Sequence, residues 1–94
     1  MDFGWDESKR QANLRKHGID FTRAARIFRG PVFEAVDRRV AYGEERIRAI
    51  GAWQGEVLVV VYTWRGAARR LISAWKAGRA DARAYHDRLR REPR

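Results

Sequence analysis

The sequence predicts an α+β domain: two N-terminal helices, an antiparallel sheet of about four strands and a C-terminal helix. Three observations carry this. Two capped helical segments precede Pro31, a β-branched run from Val57 to Tyr62 stands between turn residues, and a last segment from Arg79 to Leu89 is rich in Ala and Arg. Chains divide into several cores only well beyond 94 residues, so residues 1–94 are expected to form a single domain.

Asp6 is placed to cap a helix running through Lys9, Asn13 and Lys16, with Glu7 near the positive end of its dipole and Gly18 just past its end. Asp20 repeats the signal: Phe21, Ala24, Ala25 and Phe28 follow at helical spacing, and Gly30-Pro31 stops the segment. Val32, Phe33 and Val36 read as a short strand, followed by a polar loop from Asp37 to Glu45. Ile47, Ala49, Gly51 and Trp53 then alternate with Arg48, Ile50 and Ala52, as in a strand with one face more buried than the other. Gln54-Gly55 joins it in a hairpin to Val57–Tyr62, a central strand expected to be covered on both faces.

Arg65-Gly66-Ala67 makes a second turn, into a strand from Arg69 to Trp75. Simple alternation puts Leu71, Ser73 and Trp75 on one face and Arg70, Ile72 and Ala74 on the other. In the final helix Ala84 and Tyr85 or Leu89 point inward, and Arg90 to Arg94 form a solvated tail. The expected arrangement is an antiparallel meander with helices on one side, its core including Trp5 and Trp53.

With 21 basic against 12 acidic residues the net charge is +9, and only Lys9, Lys16 and Lys76 of the basic set are lysine. Arginine's planar fork matches phosphate oxygens in pairs, which points to a phosphate-rich partner; a merely solvated basic surface explains the same composition. Cysteine is absent, and His17 and His86 are too few for a zinc cluster, so neither a metal nor another cofactor is expected. No apolar run approaches the length of a membrane span, and the opening residues are charged, so a cytoplasmic protein is expected.

Three stretches are distinctive: Phe3-x-Trp5-Asp6-x-x-Lys9-x-x-x-Asn13-x-x-Lys16-His17-Gly18-Ile19-x-Phe21, then Glu45-Arg46 leading to Gly51, then Arg70-x-Ile72-Ser73-Ala74-x-Lys76-Ala77. With Ala24, Phe28 and Tyr85, in this order and spacing, the chain resembles the BrnT toxins along nearly its whole length. The resemblance implies a RelE-like fold, metal-independent RNA cleavage that inhibits translation, and neutralisation by a BrnA-type antitoxin that also carries the DNA-binding part of the complex. One position departs from the pattern. Where the family usually reads Ile-Ser-Ala-Arg-Lys-Ala, this chain reads Ile72-Ser73-Ala74-Trp75-Lys76-Ala77. Tryptophan cannot donate to a phosphate as arginine does, and loss of one preorganised donor commonly costs on the order of 10²–10³ in rate. Attenuation by Trp75 is weighed against a harmless variant.

RNA cleavage without a metal needs a base for the 2′-hydroxyl, positive charge on the transition state and an acid for the leaving 5′-oxygen. His17 is the candidate for proton transfer, with a helix-terminal structural role as its alternative. Arg46 and Arg70, at which the resemblance holds, are candidates for bracing the phosphate; surface ion pairs are the other explanation. Lys76 is read either as a phosphate or proton donor or as a solvated strand end. Lys9 and Lys16 share a helix face that closes over RNA or simply faces water. Trp64, beside a turn, and Arg69 complete the candidate RNA-binding set. The competing function is an inactive toxin-fold module that binds RNA or its antitoxin. A solitary DNA-binding regulator is disfavoured, because the two opening helices carry no helix-turn-helix signature.

Overall fold

The computed structural model describes residues 2–39, 41 and 43–92. Its elements are β1 (Asp2–Trp5), α1 (Glu7–His17), α2 (Phe21–Ala24, continued by a 3₁₀ turn over Ala25–Arg29), β2 (Val32–Val36), β3 (Ile47–Trp53), β4 (Glu56–Arg65), β5 (Ala68–Lys76) and α3 (Arg79–Arg91). Parts of the expected Asp37–Glu45 loop and Arg90–Arg94 tail, namely residues 40, 42, 93 and 94, lie outside the described residues.

The local signals act as read. Asp6 accepts from the amides of Ser8 and Lys9, and Asp20 accepts from that of Thr22. Gly18 ends α1 in the left-handed region at φ 71°, its N–H bonded to the Leu14 carbonyl. Gln54 and Gly55 both have positive φ, 49° and 82°, as a two-residue hairpin between Trp53 and Glu56 requires.

The sheet order is β1-β5-β4-β3-β2. β2 to β5 form the expected antiparallel meander, but β1 adds a fifth strand parallel to β5, with Asp2 to Trp5 opposite Ala68 to Leu71. Only its pairing reveals this strand, since four residues carry too little alternation to declare one. The helices also divide between the two faces, contrary to the one-sided expectation. On the inner face Phe21, Ala24, Ile27 and Phe28 bury against Ala49, Leu58, Val60, Tyr62, Leu71 and Ala74. On the outer face Tyr85 of α3 packs edge-on to Phe33 at 5.5 Å and donates to the Pro31 carbonyl, while Arg88 lies 4.2 Å from the Phe33 ring centroid. The intervening Val57, Val59 and Val61 are buried as well, so β4 is covered on both sides as its composition requires.

A bulge reassigns β5. Val61 pairs with Ser73 but Tyr62 with Leu71, which leaves Ile72 as the extra residue. Leu71 and Ala74 therefore share the inner face, and Arg70, Ser73 and Trp75 share the outer one. Alternation alone had put Arg70 opposite Trp75.

The bulge lies where β1 ends, and beyond it the free edge of β5 is satisfied by a side chain. Asn13 accepts from the Ala74 N–H at 3.0 Å and donates to the Ala74 carbonyl at 2.9 Å, the pairing another strand would supply. It also donates to the Ile19 carbonyl at 3.0 Å. Asn13 is the buried residue of α1, a helix whose Leu14 is 40% exposed, so this amide rather than an apolar stripe docks it.

Candidate active site

Three successive cross-strand rows of the outer face carry the candidate residues. Ile50, Val59 and Trp75 form one; Arg48, Val61 and Ser73 form the next. One step beyond the Ile47–Tyr62 pair brings Arg46 opposite Thr63, which pairs on its other side with Arg70. Strands lie about 4.8 Å apart, so Arg46 and Arg70, flanking Thr63, stand about 10 Å apart at the backbone. Arg48 lies two residues from Arg46 on the same face, and the sheet thus presents Arg46, Arg48 and Arg70 together.

Their surroundings are polar. Arg46 pairs with Glu44 at 3.3 Å, and its carbonyl accepts from the Asp37 N–H. Asp37, only 5% exposed, takes both ends of the Arg39 guanidinium at 2.8 and 2.9 Å. Thr63 donates to the Glu45 carbonyl, fixing the loop against the row. Near Arg70 stands Asp6, whose carboxyl is held below its ordinary value mainly by the Ser8 hydroxyl, then by cap amides, with a smaller contribution from Arg70.

Trp75, half-buried, lies between two cationic or ionisable groups: the Arg39 guanidinium is 5.3 Å from its ring centroid and the His17 ring 6.1 Å. It also walls a groove of about 260 Å³ beneath α3, with Phe33, Ile50, Val59 and Ala84 as further apolar lining and Glu34, Arg48, Asp81 and Arg88 as charged groups.

The structure thus gathers Arg46, Arg70, Trp75 and His17 along one face and its edge. The other candidates stand elsewhere. Lys76 pairs in register with inner-face Leu58 and lies 3.5 Å from Glu56. Arg69 points inward, its guanidinium 4.4 Å from the Phe28 centroid and 4.7 Å from that of Trp64, which is 46% exposed. Beside them Tyr62 donates to Glu34; burial first, then that bond, pushes its hydroxyl up, while Arg69 pulls the other way. Lys9 and Lys16 are exposed on α1. Arg48 was overlooked in the sequence although the alternation in β3 marks it, two residues from Arg46. Arg39 and the groove had no local signal. Among the described residues no group of three or more His, Cys, Asp or Glu is placed to hold a metal, and no helix is long and apolar enough to cross a membrane.

A small mixed sheet with helices on both faces and three arginines on one of them defines an α+β protein with a basic sheet face. Residues 5–81 match the family model described as the ribonuclease toxin BrnT of type II toxin–antitoxin systems, and the chain belongs to that family. The crystal structure of the ribonuclease toxin BrnT of Brucella abortus is similar at 33% identity and a TM-score of 0.64, over 84% of this chain and 99% of that one. Comparison with curated proteins gives no match.

Proposed function

We propose that this chain is a metal-independent endoribonuclease toxin that cuts RNA on the outer face of its sheet. The reading rests on one observation, the convergence of Arg46, Arg48 and Arg70 on that face within a ribonuclease-toxin family. The scissile phosphate sits over the Arg48–Val61–Ser73 row. Arginines on both flanks stabilise the extra charge of the transition state, and their donors need no reorganisation as it forms. The 2′-oxygen attacks phosphorus as its proton passes to a base, and the P–O5′ bond breaks as the leaving oxygen takes a proton. The products are a 2′,3′-cyclic phosphate and a 5′-hydroxyl. His17, at the edge beside Trp75, is the proposed proton-transfer group. Exposed Lys9 and Lys16 of α1 extend the contact to the RNA backbone, and Lys76, Arg69 and Trp64 serve RNA segments outside the cutting strip.

Trp75 attenuates this copy. It stands one row from Arg48, where an arginine reaches the same phosphate with a charged fork of five donors and an indole offers a single neutral N–H. Neutralisation falls to an antitoxin of the BrnA type, whose acidic surface suits a chain of net charge +9 and which carries the DNA-binding function of the complex. The toxin acts in the cytoplasm during stress.

The second reading, an inactive module that binds RNA or the antitoxin, is favoured by the packing of Trp75 between His17 and Arg39. Incubation of purified protein with RNA distinguishes the two. New 5′-hydroxyl ends, increased on the order of 10²-fold by Trp75→Arg, support the nuclease. Binding without cleavage, even after that substitution, supports the module. Cleavage unchanged by Trp75→Arg refutes attenuation.

A further inference from the structure

The groove beneath α3 is continuous with the arginine face through Arg48, which lines the one and belongs to the other. At about 260 Å³ it falls below the roughly 300–1,000 Å³ of pockets for drug-sized ligands, which suits a single planar ring system better than a larger cofactor. Its apolar walls include the flat indole of Trp75, and stacking on such a face is how single-stranded bases are held. Its charged groups are two cations, Arg48 and Arg88, and two anions, Asp81 and Glu34, of which Glu34 already accepts from the Tyr62 hydroxyl.

Resting on the ribonuclease reading, we propose that this groove is a nucleobase pocket, which takes the base next to the phosphate held by Arg46, Arg48 and Arg70. The base enters edgewise between the sheet and α3 and lies against Trp75, with Ile50 and Val59 beneath it. Arg88 and Arg48 face the sugar–phosphate side. Asp81 accepts from the base. A carboxylate accepts only, so it selects bases with an exocyclic amino group and leaves the uracil O4 facing a second acceptor. The arginine face then supplies affinity for any RNA, and the groove supplies preference among bases, the usual division between phosphate and base contacts. Position 75 thereby exchanges a phosphate donor for a stacking surface.

The test uses 2′-O-methyl hexanucleotides of A, C or U, which lack the attacking hydroxyl and cannot be cut, and matched strands carrying abasic residues. Calorimetric titration is expected to show the A and C strands binding more tightly than U, with abasic strands weaker by on the order of tenfold. Ala84→Leu and, independently, Ala35→Leu fill the groove from its two sides. Either one that keeps the parent melting temperature is expected to abolish the difference between base-bearing and abasic strands, and Asp81→Asn to narrow the gap between C and U. Equal binding of base-bearing and abasic strands overturns the proposal. So does undiminished base preference in the filled variants, which assigns the groove to another occupant such as a protein segment. A chain that cuts no RNA, even after Trp75→Arg, yet in its unaltered form binds these strands with base preference refutes the ribonuclease reading and keeps the pocket. One that cuts RNA without base preference does the reverse.

Discussion

Asn13→Ala tests how a polar helix is held on this sheet. The Asn13 amide is bonded to the Ala74 N–H, the Ala74 carbonyl and the Ile19 carbonyl, at a side chain 6% exposed. Each buried backbone group left without a partner costs about 1–3 kcal/mol. Carbonyls tolerate partial satisfaction better than amides, and water entering the vacated space recovers some of the loss, so a total of about 2–4 kcal/mol is expected. For a domain of this size that lowers Tm by on the order of 10–25 °C. Urea unfolding at neutral pH gives the free energy directly.

Asn13→Asp separates hydrogen bonding from shape. A carboxylate still accepts from the Ala74 N–H, but it faces two carbonyls to which it cannot donate. Its folded pKa must rise above the unfolded value of about 3.9, because the protonated acid supplies one of the missing donors. The penalty is therefore small below that unfolded value and grows as pH rises through the folded one. A loss under about 1 kcal/mol in Asn13→Ala, or a penalty in Asn13→Asp that does not grow with pH, refutes the assignment of Asn13 as the partner of the free β5 edge.

Gly51→Ala places a Cβ 2.8 Å from Val32 Cγ1 and 3.0 Å from Ile27 Cβ, and the latter cannot rotate away. A loss of about 1–3 kcal/mol is expected in denaturant unfolding, since overpacking outweighs any gain from removing glycine. For RNA binding, three phosphate-neutralising arginines give a slope of log K against log salt of about −2 for a single strand, and Arg48→Ala makes it shallower by about 0.7. A slope unchanged by Arg48→Ala removes this residue from the interface. The Glu7 carboxyl is depressed from 4.5 to about 2, chiefly by its bond to Arg10 and then by Gln11. Because the folded value is the lower one, the stabilisation is complete above the unfolded pKa of 4.5 and is lost as pH falls toward about 2. Glu7→Gln is expected to flatten the acid limb of the stability profile in that window, and an unchanged limb counts against the pair.

Much of the candidate site was legible where chemistry and periodicity agree over a few residues. Arg46 follows an acidic residue at the start of a strand with clear alternation, and its place on the face of Arg48 follows from a period of two. Arg70 and Trp75 were both singled out, but their relation was not legible. Five positions apart they belong on opposite faces of a regular strand, and the bulge at Ile72 brings them to the same one. The sequence around Ile72 carries no signature of this, because a bulge is a property of two strands in register.

The sequence by itself determined the helix starts at Asp6 and Asp20, the stop at Gly18, the turn at Gln54-Gly55 and the doubly covered β4. Each depends on backbone sterics, capping bonds or burial pattern within a few residues along the chain. Tertiary structure alone decided that Asp2–Trp5 pairs parallel to β5, that α3 crosses to the outer face and leaves a groove over Trp75, and that Asn13 completes the edge at Ala74 across a separation of 61 residues. The physical reason is the same in each case. A free strand edge or an uncovered apolar face demands a partner, but nothing in the demand names which distant segment answers it.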